Sequence, residues 1–448
     1  MVRIAVLSLF ATALVLALAA GCGDDGGPGP VTGVNIAPDS LDAEVSDTIE
    51  ITASVDGGTT KAVAWYVNGV SGGNSTWGTI GQTATADYHA PDAIPDPATV
   101  VVTAVAQEDT TKRDSCFVTV RFTLIHVNGS TGNDQTGTGA IVKPVRTLLT
   151  GLGLAQAGMD VVIAAGTYNE FGLDLKAGVT VRSASGDPAA VTIDAQGQGR
   201  IFRLVAWDTT TAIEGLTLTG GHSSGEGHGE ESGGAIYLNG AHLDISRCDF
   251  TDNVADLCGG AITCHHSSSV EAVDCVFTGD SAAVYGGAYY QLSGGESEFV
   301  RCIFLRNSAG TLGGAVLAAG GLLAFTNCTL CANVGGYNGC SGIHLNSAAA
   351  ELDRTIIAYG TYGEAVNIAG GMPSAVLVCC DIFGNASGNW TGPIASQLGV
   401  DGNFSLDPRF CDYGQGDLGL LGDSPCLPGQ HPTLADCGLI GAAGAGCD

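Results

Sequence analysis

The sequence predicts an all-β protein whose main body is a parallel β-helix, preceded by a small β-sandwich. The first observation is a repeat: Gly-Gly-Ala triplets recur every 26 or 27 residues, beginning at Gly233, Gly259, Gly286 and Gly313. The second is that Cys-x-Phe, or a close variant of it, follows each triplet. The third is that apolar residues alternate with a period of two, which is typical of strands rather than helices. A repeat of this length and period predicts stacked coils that bury their interior only against one another.

The second element of the repeat is expected to place similar side chains above one another. Its copies begin at Cys248, Cys275, Cys302, Cys328, Thr355 and Cys380. Because side chains alternate along a strand, the first and third residues of each copy point to the same side. With strands about 4.8 Å apart, this predicts a column of buried cysteines beside a column of aromatic or aliphatic residues. A polar residue follows most copies and is expected at a turn, at Asn253, Asp280, Asn307, Asn333 and Asn385.

These repeats resemble the pectin-lyase-like family of right-handed β-helix proteins, and their pattern is similar to the repeats of polymorphic outer-membrane proteins. The resemblance covers residues 123–400. It implies a right-handed parallel β-helix, with roughly nine coils between Val161 and Asn385. Residues 125–134 and 160–168 resemble the N-terminal coil of that family. The same fold also permits a polysaccharide lyase or a glycoside hydrolase.

Residues 31–122 predict a separate all-β unit. Runs rich in β-branched residues, at 49–55, 62–67, 99–105 and 115–121, are separated by Gly, Asn, Asp and Pro. Trp65 is expected in the core of this unit. The segments from Trp65 to Gly73 and from Tyr88 to Pro91 resemble bacterial Ig-like domains of surface proteins. The resemblance implies an Ig-like β-sandwich that serves as a spacer or an adhesive module.

The first 22 residues predict an export signal. Arg3 precedes an apolar run from Ile4 to Ala20, which is too short and wrongly flanked for a membrane span. Cys22 after Ala-Ala-Gly resembles a bacterial lipobox, which implies a lipoprotein signal peptide and lipidation of Cys22. Ala19 stands where that pattern prefers Leu, so plain secretory cleavage remains the alternative. Residues 23–30, rich in Gly, Pro and Asp, predict a flexible tether.

The charge of the chain excludes one class of partner and restricts another. The sequence has 45 acidic residues against 16 Lys and Arg, a formal net charge of −29. Such a chain repels phosphate backbones, so no nucleic-acid partner is expected. Anionic lipid surfaces are disfavoured for the same reason, and contact with a membrane is expected only through the lipid anchor.

Both ends of the coil stack are expected to be capped. Residues 144–157 predict a short helix that covers the first coil, with Val145, Leu148, Leu149 and Leu152 on one face. Residues 401–448, rich in Cys, Pro and Gly, are expected to fold back as the C-terminal cap. Cys331 and Cys340 are candidates for a surface disulfide. Connectivity cannot be read from sequence for the tail cysteines Cys411, Cys426, Cys437 and Cys447.

Two groups of residues are candidates for chemistry. The polar loop 220–232 could gather a metal cation, with calcium as the candidate cofactor, through His222, Glu226, His228 and Glu230. The alternative is a solvated insertion, because Gly and Ser do not hold ligands rigidly. Arg247 and Arg301 occupy one column of the repeat, two coils apart, and are candidate ligand-binding residues or simply solvated side chains. No family catalytic motif can be placed on this chain, so no catalytic residue is assigned.

These observations support two functional hypotheses. The first is an exported protein, lipid-anchored to the bacterial outer membrane or cell surface, with a binding, adhesive or structural role. Its partner would be an extracellular polysaccharide or another component of the cell envelope. The second is a surface polysaccharide lyase or glycoside hydrolase. A cluster of Asp and Arg on one outer face would favour the enzyme, and a smooth face of Ser, Thr and Ala would favour the binding protein.

Overall fold

A computed structural model describes residues 29–206, 210–225, 229, 231–336, 339–370, 374–433 and 436–447. The predicted signal peptide, Cys22 and most of the tether lie outside these residues. The described chain divides into two compact units. The first comprises residues up to 43, 48–91 and 95–120, and the second comprises 44–47, 92–94 and everything from 121. Within the described ranges, no helix has the length and apolar character needed to cross a membrane.

The first unit consists of two five-stranded sheets, an arrangement compatible with a small β-sandwich. Trp65 is fully buried, as predicted, and its indole N–H donates to the carbonyl of Thr83 at 2.7 Å. Strand residues alternate between buried and exposed positions, as the period of two requires. In order across the sheet, the first has strands Gly33–Ala37, Thr48–Asp56, Thr85–His89, Gly78–Ile80 and Gly73–Asn74. The second has Ser40–Glu44, Arg113–Arg121, Thr99–Ala106, Val63–Val67 and Val70–Ser71.

The second unit is a right-handed parallel β-helix of about 10 turns, which confirms the predicted fold class. A complete coil visits four faces in a fixed order. In one coil, face I is Ile236–Asn239, face II is His242–Ser246, face III is Asp249–Thr251 and face IV is Val254–Ala255. Each strand pairs in parallel with its counterpart in the next coil.

Faces II and III are the longest parallel sheets. Face II has ten strands, Leu124–Val127, Asp160–Ile163, Thr180–Ser183, Thr210–Glu214, His242–Ser246, Ser269–Val273, Glu296–Val300, Leu322–Thr326, Ala349–Asp353 and Ser374–Val378. Face III has nine strands, Gly166–Tyr168, Val191–Asp194, Thr217–Thr219, Asp249–Thr251, Val276–Thr278, Ile303–Leu305, Thr329–Cys331, Ile356–Ala358 and Asp381–Phe383. A 3-10 turn, Pro188–Ala190, precedes the second of these.

Faces I and IV complete the coils. Face I has eight strands, Leu173–Asp174, Phe202–Val205, Ile236–Asn239, Ile262–His265, Tyr289–Leu292, Val316–Ala319, Cys340–Asn346 and Glu364–Ala369. Face IV has four short strands, His222–Ser223, Val254–Ala255, Ser281–Ala282 and Ser308–Ala309. The Gly-Gly pairs lie at the corner between faces IV and I, where adjacent coils approach closely. At Gly260 a Cβ atom would lie 2.3 Å from the carbonyl oxygen of Gly287, so no larger residue fits.

The interior contains the predicted columns. The rings of Phe250, Phe277 and Phe304 stack nearly parallel, with centroids 4.7 and 4.6 Å apart. The cysteine column is fully buried at Cys248, Cys275, Cys302, Cys328 and Cys380. Thr355 occupies the remaining position of that column. Its hydroxyl donates to a carbonyl of the preceding coil, as the thiols do.

A second buried column lies between faces III and IV and consists of the side-chain amides of Asn253, Asn307 and Asn333, with the carboxyl group of Asp280 between the first two. We call it the amide column. The N–H of Asn307 donates to Oδ1 of Asn333 at 2.9 Å, and Nδ2 of Asn307 donates to the carbonyl of Phe277 at 2.9 Å. The N–H of Asn253 donates to Asp280 and the N–H of Asp280 donates to Asn307 in the same way. Gly360 interrupts the column after Asn333, and its N–H donates to Oδ1 of Asn385. The column therefore satisfies backbone groups that the turns would otherwise bury unpaired. The polar residues predicted at a turn therefore hold consecutive coils together.

The N-terminal cap helix is shorter than predicted, so that Val145 precedes it, and one residue of its predicted buried face is exposed. A helix, Leu148–Leu154, begins after Thr147, whose hydroxyl accepts the N–H of Thr150. Leu148 and Leu152, four residues apart, are buried against the first coil, but Leu149 is 63% exposed. The prediction that Leu149 shares the buried face is wrong, because the residue after Leu148 is rotated about 100° away from it.

The end of the coil stack is covered by a segment earlier than predicted. The 3-10 segment Gly392–Gln397 buries Ile394 in the interior core. The side chain of Gln397 accepts the N–H of Leu377 at 2.9 Å and donates to the carbonyl of Ala375 at 2.8 Å. It thereby satisfies the open edge of the last face II strand.

Most of the predicted C-terminal cap lies on the outer side of face III instead. Its strands are Phe410–Asp412, Asp417–Leu421 and Ala445–Cys447. They form a second core with Leu305, Cys331 and Ile356 of face III.

Two disulfides join cysteines of the described residues, Cys379–Cys437 and Cys411–Cys447. The first links the C-terminal segment to the coils, and the second lies within the segment. Cys426 is buried and free. The predicted disulfide between Cys331 and Cys340 is wrong: both thiols are free and buried, and they belong to different faces, III and I.

Candidate functional site

The predicted metal loop is only partly described. His222 lies on face IV, where Nε2 is 3.0 Å from Oδ1 of Asp256. Glu226, His228 and Glu230 lie outside the described residues. The one ligand candidate that the structure places is therefore paired with a carboxylate absent from the predicted set, and the metal site in this loop stays a prediction.

Arg247 and Arg301 do occupy one column, at the corner between faces II and III. Their backbones adopt left-handed φ values of 49° and 51°, as does Asp274 of the coil between them, at 55°. Arg301 makes two bonds to the carboxylate of Asp274, at 2.6 and 2.7 Å, and Arg247 pairs with Glu214. The column is therefore a series of ion pairs between neighbouring coils, and its guanidinium groups are already engaged by protein carboxylates.

A cluster that sequence reasoning missed lies on the outer side of face II. Ligand atoms of His242, Asp244 and Glu271 all lie within 4.8 Å of one another. Nδ1 of His242 is 2.7 Å from the hydroxyl of Ser269, and Nε2 is 2.7 Å from Oδ1 of Asp244. The bond to Asp244 raises the pKa of His242, which favours the protonated ring.

Strand register explains how the cluster forms. Asp244 pairs with Glu271, and Glu271 pairs with Glu298, so three carboxylates occupy one column on adjacent strands. Like charges directly opposite each other are unfavourable, and a cation would relieve their repulsion. Carboxylates alone suit calcium, whereas a histidine beside them suits a transition metal. Spacing by the repeat length could have revealed this column, since 27 residues separate each carboxylate from the next.

The coil cysteines do not provide reactive thiolates. Burial raises the pKa of Cys264 to about 12 and that of Cys380 to about 12. It raises the pKa of Cys248, Cys275 and Cys302 well above the usual range. The cysteine column therefore serves packing and hydrogen bonding, which agrees with the predicted column of buried cysteines.

Two buried carboxyl groups also escaped the sequence analysis. Asp280 is a fully buried rung of the amide column, and burial raises its pKa to about 8. Its Oδ1 accepts the N–H and Nδ2 of Asn253, both at 2.9 Å, while its buried Oδ2 has no hydrogen-bond partner among the described residues. Burial also raises the pKa of Asp381, under the C-terminal segment, to about 8. Both groups are buried and accept hydrogen bonds from within the protein.

Comparisons of the chain with protein-family models, with curated proteins and with solved structures give no match. The candidate functions therefore rest on the chemistry of the described residues. Among the described residues, the cluster of His242, Asp244 and Glu271 on face II brings three potential metal-ligating side chains together.

Proposed function

We propose that this chain is an exported bacterial lipoprotein, anchored through Cys22, whose β-helix serves as a binding or structural scaffold at the cell surface. The observation that supports the scaffold role is the length of the unbroken, in-register outer face, whereas the anchor rests on the sequence around Cys22. Face II alone has ten strands, and at about 4.8 Å per strand it extends over roughly 40 Å. A surface of this kind suits an extended polymer, such as an extracellular polysaccharide, or another envelope component.

The test of anchoring uses the full-length chain expressed in a bacterium with an outer membrane. Cells are grown with an alkyne-tagged fatty acid, and a Cys22→Ala variant is the control. We expect the wild-type chain to be labelled and to stay with the cells. We expect the Cys22→Ala variant to carry no label. Secretion of unlabelled wild-type protein would contradict the anchor and favour plain secretory cleavage.

The test of binding uses the same full-length protein in detergent. Envelope fractions from which proteins have been digested are immobilised, and retention of the protein is measured with and without calcium. Retention supports the proposed scaffold. Lack of retention on polysaccharide-containing fractions would contradict a role in binding them.

A surface polysaccharide lyase or glycoside hydrolase is the second candidate, and one observation favours it. Asp244 and Glu271 lie side by side with a histidine on the longest face, and paired carboxylates can carry acid and base roles. The assay follows unsaturated products and new reducing ends on neutral and acidic polysaccharides. Turnover that is lost in a His242→Ala variant would establish the enzyme. Absence of turnover, with retained binding, would exclude it for the polysaccharides used.

A further inference from the structure

A cleft of about 280 Å³ opens on the outer side of face I, a different face from the one that carries the carboxylate cluster. Two consecutive coils build it, since Leu173 pairs with Phe202 and Asp174 pairs with Arg203. Its lining includes Phe171, Asp174, Gln198, Gly199, Arg200 and Arg203. An aromatic ring, an amide and an ion pair therefore line one concavity, which can offer apolar and polar contacts to the same small molecule.

Phe171 provides an apolar platform at the rim of the cleft. Its side chain is 46% exposed, although most large aromatic residues of the coils are buried. Gly199 makes room for the ring: a Cβ atom there would lie 2.8 Å from Cδ2 of Phe171. An exposed ring against a cleft can stack on the apolar face of a ligand and bury area without losing much conformational entropy.

The polar side of the cleft is an exposed ion pair. Nε of Arg203 donates to Oδ1 of Asp174 at 2.8 Å, and the two side chains are 52% and 68% exposed. A guanidinium carries several N–H donors, and a carboxylate accepts several hydrogen bonds. Such a pair can offer a donor and an acceptor side by side, which matches adjacent hydroxyl groups.

Arg200 forms part of the wall of the cleft and anchors it to the next coil. It donates to the carbonyls of Gly233 and Ser232 at 3.0 and 2.7 Å and also to that of Gly229. Its guanidinium carbon lies 4.9 Å from the ring centroid of Tyr237. These contacts span two coils, so the wall is held in place before any ligand arrives.

We propose that this cleft binds a neutral sugar unit of an extracellular polysaccharide. An aromatic platform beside adjacent donors and acceptors fits a pyranose ring, with one apolar face and a rim of hydroxyl groups. An acidic polymer is disfavoured because the two guanidinium groups of the cleft are already engaged, that of Arg203 by Asp174 and that of Arg200 by backbone carbonyls. The whole chain also carries a net charge of −29. The inference rests on the proposed function, since it names the site and the sugar class for the binding role.

The test measures affinity by isothermal titration with the full-length protein in detergent. The probes are cellohexaose and mannohexaose, with hexagalacturonate as the acidic contrast. Phe171→Ala and Gly199→Ala remove or displace the platform, and Tyr362→Ala removes a 62% exposed aromatic side chain elsewhere on the coils. We expect a neutral probe to bind more tightly than hexagalacturonate, and each platform variant to raise its Kd about tenfold. Tyr362→Ala should leave the Kd unchanged.

Two results would overturn the cleft assignment: no binding of either neutral probe by the wild-type protein, or equal affinity in wild type and Phe171→Ala. Retention on envelope fractions distinguishes failure of the cleft assignment from failure of the proposed binding function. If Phe171→Ala is retained as well as wild type, the cleft is wrong and the binding scaffold stands. If wild type is not retained at all, the proposed function fails as well. Thermal unfolding of each variant checks that it is folded.

Discussion

The central coils and the C-terminal segment of the second unit are stabilised by different means. In the central coils each interior position is filled again by a buried residue of the next coil, and in some columns the residue is the same, as with Phe250, Phe277 and Phe304. The C-terminal segment has no repeat. It forms a small core against face III and carries both disulfides, Cys379–Cys437 and Cys411–Cys447.

The difference shows what a repeat can replace. In the coils, each coil packs against and hydrogen-bonds to the next, so stability is distributed over many similar contacts. The coils therefore do not depend on disulfides, and the thiols of the cysteine column stay free. A segment without periodicity has no such neighbours, and covalent links limit the freedom of its unfolded chain instead. Substitutions in the coils and in the C-terminal segment should therefore lower stability in different ways.

The largest effect is expected for Phe277→Ala. The side chain is fully buried and stacks on rings in both neighbouring coils. Removing it should lower the free energy of unfolding by about 3–5 kcal/mol. Chemical denaturation followed by circular dichroism measures the loss. A loss below about 1 kcal/mol would mean that the aromatic column is dispensable.

The second prediction concerns the double variant Cys411→Ser, Cys447→Ser. Loss of this disulfide should cost about 2–4 kcal/mol within the segment and leave the central coils intact. Hydrogen exchange is expected to speed up at Asp417–Leu421 and to stay unchanged at Ser269–Val273. Faster exchange throughout face II would show that the segment supports the whole stack.

Asp280→Asn is expected to stabilise the coils and to remove the contribution of Asp280 to the pH dependence of the free energy of unfolding. Burial raises the pKa of Asp280 to about 8, whereas the unfolded group titrates near 4. Between these values the folded state binds more protons than the unfolded state, so the free energy of unfolding falls as pH rises from about 4 to about 8. An asparagine would complete the column by donating toward the carbonyl of Phe250, as Asn307 does toward that of Phe277.

The gain from Asp280→Asn at pH 7.5 should be about 1–3 kcal/mol. Glu351→Gln, which neutralises an exposed carboxylate of face II, is the matched control. Denaturation at several pH values checks both variants. A wild-type stability that does not decline toward pH 8 faster than that of Asp280→Asn would contradict the buried, protonated carboxyl. Asp381 contributes a dependence of the same sign, which the comparison with Asp280→Asn cancels.

The smallest effect is expected at Arg301. Its ion pair with Asp274 is 47% and 42% exposed, so Arg301→Ala should change the free energy of unfolding by less than about 1 kcal/mol. Because Arg301 has a φ of 51°, Arg301→Gly should be more stable than Arg301→Ala by about 1 kcal/mol. Denaturation of the two variants measures this difference. If the glycine variant were less stable than the alanine variant, the left-handed backbone at position 301 would not be strained.

The coils could be predicted from the sequence because residues one repeat apart occupy equivalent positions in neighbouring coils. The Cys-x-Phe pattern of residues 248–250 was enough to place both interior columns. The C-terminal segment was less predictable, since the partner of Cys437 proved to be Cys379, 58 residues earlier, and depended on where the chain folds back. The same applies to the missed carboxylates. Asp244 and Glu271 become neighbours only once the register is applied, and burial, not residue type, sets the ionisation of Asp280.

The most direct test of the account compares Phe171→Ala with Asn307→Ala in two measurements, the Kd for cellohexaose or mannohexaose and the free energy of unfolding. Phe171 lies at the rim of the cleft, whereas Asn307 is a fully buried rung. We expect Phe171→Ala to weaken binding about tenfold with a change in the free energy of unfolding below about 1 kcal/mol. Asn307→Ala should cost about 2 kcal/mol or more and leave the Kd of the folded protein unchanged. Equal loss of binding in both variants, or in neither, would contradict a scaffold whose interior supports the fold and whose outer cleft binds the sugar.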